Sequence, residues 1–285
     1  RKPNTAMRAV IKKKNRSGYY CILNKCYLQV QSVLKNIVRD WSDMGSAERE
    51  QCYKPILDEM EERFSLDEYR YGIRVLVPGA GLGRLAWEVA ARGYTCQGNE
   101  FSLFMLFASN FILNRCTEIN KYTVHPWVHQ YVNNITCEHQ LISARFPDVC
   151  PSGNRPNHNF SMTAGDFLKV YTEADEWSCV ATCFFIDCAP NVIEFIERIY
   201  MILQPGAIYL LAISIFFILS QKEQTGVKTK YAQNPHSMMQ HEYDSVFFKL
   251  KEMAQHSCNM NIICCLTLCR NVVHNNALFI IKLIY

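Results

Sequence analysis

From Tyr27 to Arg49 apolar residues recur at intervals of three and four (Val30, Val33, Leu34, Ile37, Val38, Trp41), and this spacing predicts a helix. A second helix is predicted from Ala47 to Phe64, with a kink or break at Pro55. The pattern then changes. Val75, Leu76 and Val77 form a short apolar run that ends in a turn holding Gly79, Gly81 and Gly83, and an amphipathic run follows from Arg84 to Ala91. Strand, glycine turn and helix open a nucleotide-binding βαβ unit. A second strand-like run, Tyr94 to Gln97, leads to Glu100. The stretch FSLFMLFASNFILNR after it has the length of a helix, with aromatics so dense that burial on more than one face is expected, Phe104, Met105, Phe107 and Phe111 being core residues.

Tyr122 to Pro156 reads as a long ordered insertion, aromatic and polar at first, then bearing proline and glycine. Asn159 to Phe167 predicts a short strand ending at Asp166. Cys179 to Ile186 is a continuous apolar run that predicts a central strand buried on both faces and ending in Asp187. NVIEFIERIYMIL is an amphipathic helix stopped by Pro205 and Gly206, and the strand GAIYLLAIS follows. Strands alternating with helices predict an α/β fold with a parallel sheet, capped by the helices that precede the first strand. The apolar run Ala207 to Leu219 is too short for a membrane span of about 20 residues. Strand-like character returns around Tyr243 to Phe248, whereas NIICCLTLC and ALFIIKLIY carry no site-like polar groups and receive no role. The expected organisation is a basic segment over 1–26, a helical cap over 27–70, the main domain over 71–250 and a tail over 251–285.

Composition changes this picture little. A 49% hydrophobic content is ample for a core, and much of the net charge of +4 comes from the opening RKPNTAMRAVIKKKNR, which has no acid. That run reads as a solvated end in preference to a nucleic-acid contact. No apolar h-region follows it, so no secretory signal is expected. The fourteen cysteines show no regular spacing and several lie within apolar runs (Cys179, Cys183, Cys264, Cys265), as in a reducing compartment. A cytoplasmic location, extending to the nucleus, is the expectation. No CxxC pair occurs, and His125 with His129 lacks further ligands, so no metal site is expected.

The glycine spacing selects a ligand class. The dinucleotide fingerprint is G-x-G-x-x-G, whereas this turn is G-x-G-x-G with Arg84 in the place of the last glycine, which favours S-adenosylmethionine over NAD. Glu100 follows the first glycine by about 20 residues, where a carboxylate can accept both ribose hydroxyls. Asp166 can accept the adenine amine with Phe167 beside the ring, or cap the helix that follows, and the two roles are compatible. Asp187 falls where the sheet edge opens into a ligand crevice, with a helix cap as its alternative.

With VLVPGAGLGRLAWEVAARGYTCQGNEFSLFMLFASNFILNR, NFSMTAGDF and CFFIDCAPNVIEFI in view, the chain closely resembles the carnosine N-methyltransferase family from about Val33 to Gly206. The resemblance implies a Rossmann-like class I methyltransferase fold with an N-terminal helical cap, S-adenosylmethionine as cofactor, and methylation of the carnosine imidazole to give anserine. It places Arg39 at the cofactor carboxylate, Asn36 where the family has glutamine, Gly79 under the methionine part, Glu100 on the ribose, Asp166 with Phe167 around the adenine, and Cys183 nearby. Gly81, Gly83 and Arg84 complete the cofactor set, while Asp187 faces the substrate imidazole and Tyr243 orients it. Beyond Gly206 the family's GPLLYHFE segment is missing, and the pattern resumes at Tyr231, Ser237 to Met239 and Tyr243. Alternatives left open are a protein-histidine acceptor and a chain that binds cofactor without turnover. The expected partners are a small imidazole dipeptide and, as a further option, a second copy in a homodimer, with no membrane and no metal.

Overall fold

A computed structural model describes residues 26–65, 67–130, 136–152, 159–214, 268–270 and 277–284. The helix predicted from Tyr27 is α1, over 26–41. It gives way to a short 3-10 turn, and the predicted second helix divides into α2 (Ser46–Cys52) and α3 (Lys54–Arg63). Pro55 lies in the first turn of α3, where its missing N–H leaves nothing unpaired, so the break falls just before it at Tyr53. The next elements are β1 (Arg74–Pro78), α4 (Arg84–Ala91), β2 (Thr95–Glu100) and α5 (Leu103–Arg115). The insertion contributes the small antiparallel pair β3 (Tyr122–Val124) and β4 (Ala144–Phe146). The remainder comprises β5 (Phe160–Ala164), α6 (Phe167–Val170), β6 (Trp177–Cys183), α7 (Val192–Ile202), β7 (Leu203–Ser214), β8 (Leu268–Arg270) and β9 (Ala277–Ile284).

The main sheet runs β5-β2-β1-β6-β7-β9-β8. Its first five strands are parallel and β9 is antiparallel to both neighbours. Residues 251–285, to which the sequence assigns no role, thus supply the last two strands. β1 is buried on both faces: Val75 and Val77 join α3 and α4 in one core, while Leu76 faces α7 and its partners Phe195, Ile196 and Ile199 in the other. The cap forms a third core, in which Ile37 and Trp41 of α1 meet Leu82, Trp87, Met105 and Phe146.

Two predicted features are corrected. β6 stops at Cys183, short of Ile186, because Phe184 takes a left-handed φ of 54° and turns the chain, so Asp187 stands in a 3-10 turn beyond the strand. Helix α5 is not buried all round: Met105, Ile112 and Leu113 face inward, but Leu103 and Phe107 are exposed, and Phe104 and Phe111 are partly so.

Ile199 is fully buried on α7 and Ile193 is 44% exposed on the same helix. Chemical denaturation should therefore show a loss of about 2–5 kcal/mol for Ile199→Ala and roughly 0.5 kcal/mol or less for Ile193→Ala.

Candidate active site

Strand order reverses between β1 and β6, and open α/β sheets bind ligands in the crevice beyond the carboxyl ends of such a pair. The glycine turn lies there. Gly79, Gly81 and Gly83 have φ of 67°, 56° and 81°, a region that L residues with a Cβ enter only at a cost. At Gly79 space adds a second demand, since a Cβ would lie 2.5 Å from Cδ2 of Phe185 in the turn after β6. The two crevice walls therefore touch.

Glu100 ends β2 and faces the same turn. One carboxylate oxygen accepts the Gly81 N–H at 2.9 Å and the other the Ser102 N–H at 2.7 Å. Each oxygen has a second lone pair, so two further donors, such as the hydroxyls of a ribose, can be accepted without breaking either bond. Asn99, buried and absent from the expected site, braces this corner: its side chain donates to the Gly165 carbonyl at 3.1 Å and its own carbonyl accepts the Ala80 N–H at 2.9 Å.

The cap closes over the turn from α1. Arg39 donates from Nε to Asp40 Oδ1 at 2.6 Å and from Nη2 to Oδ2 at 3.2 Å, and its guanidinium lies 5.6 Å from the centre of the Phe184 ring. Asp40 also accepts the Tyr53 hydroxyl at 2.9 Å, and its Oδ2 is 3.9 Å from where a Gly81 Cβ would be. Burial opposes the Arg39 charge, but Asp40 and then Tyr53 outweigh it and hold the pKa above the ordinary arginine value. Burial, reinforced by Asp40, pushes Tyr53 up. Cys183, at the end of β6 within the field of Arg39 and Asp40, is pushed up first by burial and then by Cys52, so its thiol keeps its proton.

Asp187 is exposed at the crevice, two residues from the ring that covers Gly79. Loss of water around it raises its pKa, against the lowering effect of its own N–H and of Cys188. Cys188 is in turn raised by loss of water and by the charges of Asp187 and Glu100. Among the expected residues, Gly79, Gly81, Gly83, Arg39, Glu100, Cys183 and Asp187 are thus brought together.

Others are placed differently. The Arg84 guanidinium does not line the turn: it is buried and committed to Glu88 at 2.8 Å, the Asp40 carbonyl at 2.9 Å and Asp148 at 2.6 Å, leaving only its backbone at the helix start. Asp166 caps α6 through the Leu168 N–H at 3.1 Å and keeps partial exposure, so the two roles weighed for it remain compatible. Phe167 is buried among Tyr171, Phe185 and Phe195, with ring centres 5.5–5.7 Å apart, and packs beneath the crevice. The Asn36 amide is turned to Met105 Sδ at 3.5 Å on α5. Tyr243 lies outside the described residues. Sequence reasoning missed Tyr53 and Asp148, which no local pattern marks, and set Asp40 on or beside the same helix edge as Asn36 and Arg39 without giving it a role.

A sheet of this order with one antiparallel strand, a left-handed glycine bend after β1 and an acid at the end of β2 defines the Rossmann-like class I methyltransferase fold. Within that class the chain belongs to the carnosine N-methyltransferase family, whose model matches residues 21–217. It is 50% identical over 249 residues to carnosine N-methyltransferase unmet of Drosophila melanogaster, covering 78% of this chain and 54% of that protein. To the carnosine N-methyltransferase of Mus musculus it is 46% identical over 251 residues, covering 79% and 63%. The chain therefore spans little more than half the length of these curated relatives. Among solved structures, an S-adenosylmethionine-dependent methyltransferase from Aquifex aeolicus is similar at a TM-score of 0.48 and 11% identity, covering 89% of this chain and 97% of that one.

Alanine at Gly81 meets only an ordinary contact with Asp40 but an unfavourable φ, and should cost about 1–2 kcal/mol in thermal unfolding. Gly79→Ala adds the collision with Phe185 and should cost about 2–4 kcal/mol. Equal costs would mean that the ring does not press on the bend.

Proposed function

We propose that the protein is an S-adenosylmethionine-dependent N-methyltransferase acting on the imidazole of carnosine or a related histidine dipeptide. The observation that carries the reading is the glycine bend held by Glu100, with the turn that leads to Asp187 packed on it through Phe185, in a chain whose relatives are named for that reaction. The bend fits an adenosyl group because the glycines leave backbone exposed where a Cβ would intrude, and because Glu100 keeps free lone pairs. Arg39 supports a role at the cofactor carboxylate, one of its edges being paired to Asp40 while its side chain stays 25% exposed. When bound, the cofactor supplies an electrophilic methyl on a sulfonium.

The protein's own part is to hold a neutral imidazole in one orientation. Free imidazole is mostly neutral at pH 7, so no strong base is required. Asp187 accepts a hydrogen bond from one ring N–H, which fixes the tautomer and leaves the lone pair of the other nitrogen free. It also stabilises the imidazolium that develops on methylation. That role needs the carboxylate. Because its pKa is raised, Asp187 keeps its proton to a higher pH than an ordinary aspartate, and activity falls as pH drops through that value.

Three measurements test this. Isothermal titration should show binding of S-adenosylhomocysteine, and purified protein should transfer methyl to carnosine; a folded preparation that does neither refutes the proposal. Asp187→Asn should leave S-adenosylhomocysteine affinity within about twofold, lower kcat roughly 10²-fold and remove the acid limb of the kcat profile. Glu100→Gln should instead weaken cofactor binding by about 10-fold or more, the order expected for losing charge-assisted hydrogen bonds.

A further inference from the structure

The segment between α5 and β5 reads in sequence as a long ordered insertion, and it carries a carboxylate that ties the molecule together. Asp148 Oδ2 accepts from Arg49 Nη2 at 2.5 Å and Oδ1 from Arg84 Nη1 at 2.6 Å. All three side chains are between 6% and 9% exposed. Arg49 belongs to the cap, and Arg84 opens the helix behind the glycine bend.

What these arginines hold is the end of α1. The last carbonyls of a helix find no partner inside it and need donors from elsewhere. Arg49 Nη1 donates to the Arg39 carbonyl at 2.6 Å and the Ser42 carbonyl at 2.8 Å. Arg84 Nη1 donates to the Asp40 carbonyl at 2.9 Å, and the Asp148 N–H to the Trp41 carbonyl at 2.9 Å. Every carbonyl from Arg39 to Ser42 is thus bound by Asp148 or by an arginine that Asp148 fixes. Of the side chains on this turn, Asp40 lies 3.9 Å from where a Gly81 Cβ would be, and Arg39 is paired to Asp40.

We infer that Asp148 is a positioning residue for the cofactor site: through Arg49 and Arg84 it sets the last turn of α1 and so places Arg39 at the glycine bend. The inference rests on the reading of the crevice given above. Without the carboxylate, two buried guanidiniums face one another, and Arg49 already has its pKa lowered by burial and by Arg84. Their repulsion acts between the cap and α4, the two bodies that the crevice needs together.

The full chain carries the test. Asp148→Asn keeps the shape and removes the charge. Arg49→Lys keeps the charge but cannot span two carbonyls and a carboxylate, and serves if the first variant does not fold. Both should weaken S-adenosylhomocysteine binding and raise KM for S-adenosylmethionine by about tenfold or more, with KM for carnosine at saturating cofactor changed by less than about threefold. Asp148→Glu should recover part of the loss. In protein without ligand, the amides of residues 38–42 should exchange about tenfold faster or more in the variants while those of α7 do not change. If the wild type binds S-adenosylhomocysteine and folded variants bind it within about twofold, the inference is overturned and the proposed function stands. If the wild type does not bind it, both fall. Unchanged exchange at 38–42 overturns the positioning claim whatever the affinity.

Discussion

The structure depends on a backbone constraint at the end of β1, where three of five consecutive residues take a left-handed φ. Only glycine adopts that conformation without a steric cost, and the resulting bend leaves exposed main chain at the mouth of the crevice. The neighbouring features answer to it. Phe185 packs against Gly79, Glu100 accepts the Gly81 N–H, and Asp40 of the cap reaches Gly81 from above. A Cβ at Gly79 would collide with Phe185, and one at Gly83 would press on Leu113 and Ser109 of α5, so the bend sets how near the turn after β6 and helix α5 come to it.

The cap obeys a second constraint, the unpaired carbonyls of a helix end that is buried instead of solvated. Most of the last turn of α1 is buried, and two arginines with one aspartate bind its carbonyls. Buried ion pairs are weak sources of stability, because desolvation consumes much of their attraction. They are directional, however, and a guanidinium offers five donors in a fixed plane. Arg84 uses that geometry to join Asp148, Glu88 and the Asp40 carbonyl, while its face lies 4.9 Å from the Trp41 ring centre. An arginine that the glycine spacing makes look like a ligand-binding residue is in fact the joint between the cap and the helix behind the bend.

Much of the fold was legible because its signals are local. The bounds of α4 match the amphipathic run from Arg84 to Ala91, Glu100 closes β2, and Pro55 sits at the helix break. Less legible were features in which a residue's role depends on something distant in the chain. The aromatic density of α5 suggested burial on several faces, but Phe107 has no neighbouring layer among the described residues and stays exposed. The apolar run of β6 gave no sign of where the strand stops, because the left-handed turn at Phe184 is set by packing against the cap and β7.

By itself the sequence determined the alternation of strands and helices, the glycine bend with its acid partner, and the family, since each is written in neighbouring residues through propensity, spacing and the need for positive φ. Tertiary structure alone decided that residues 277–284 complete the sheet against β7, that Phe167 packs in the core beneath the crevice, and that Asp148 binds Arg49 across a separation of 99 positions. The reason is physical. Periodicity reports which face of an element is apolar, whereas the partner that covers this face, and the charge that satisfies a buried donor, are chosen only when distant segments meet.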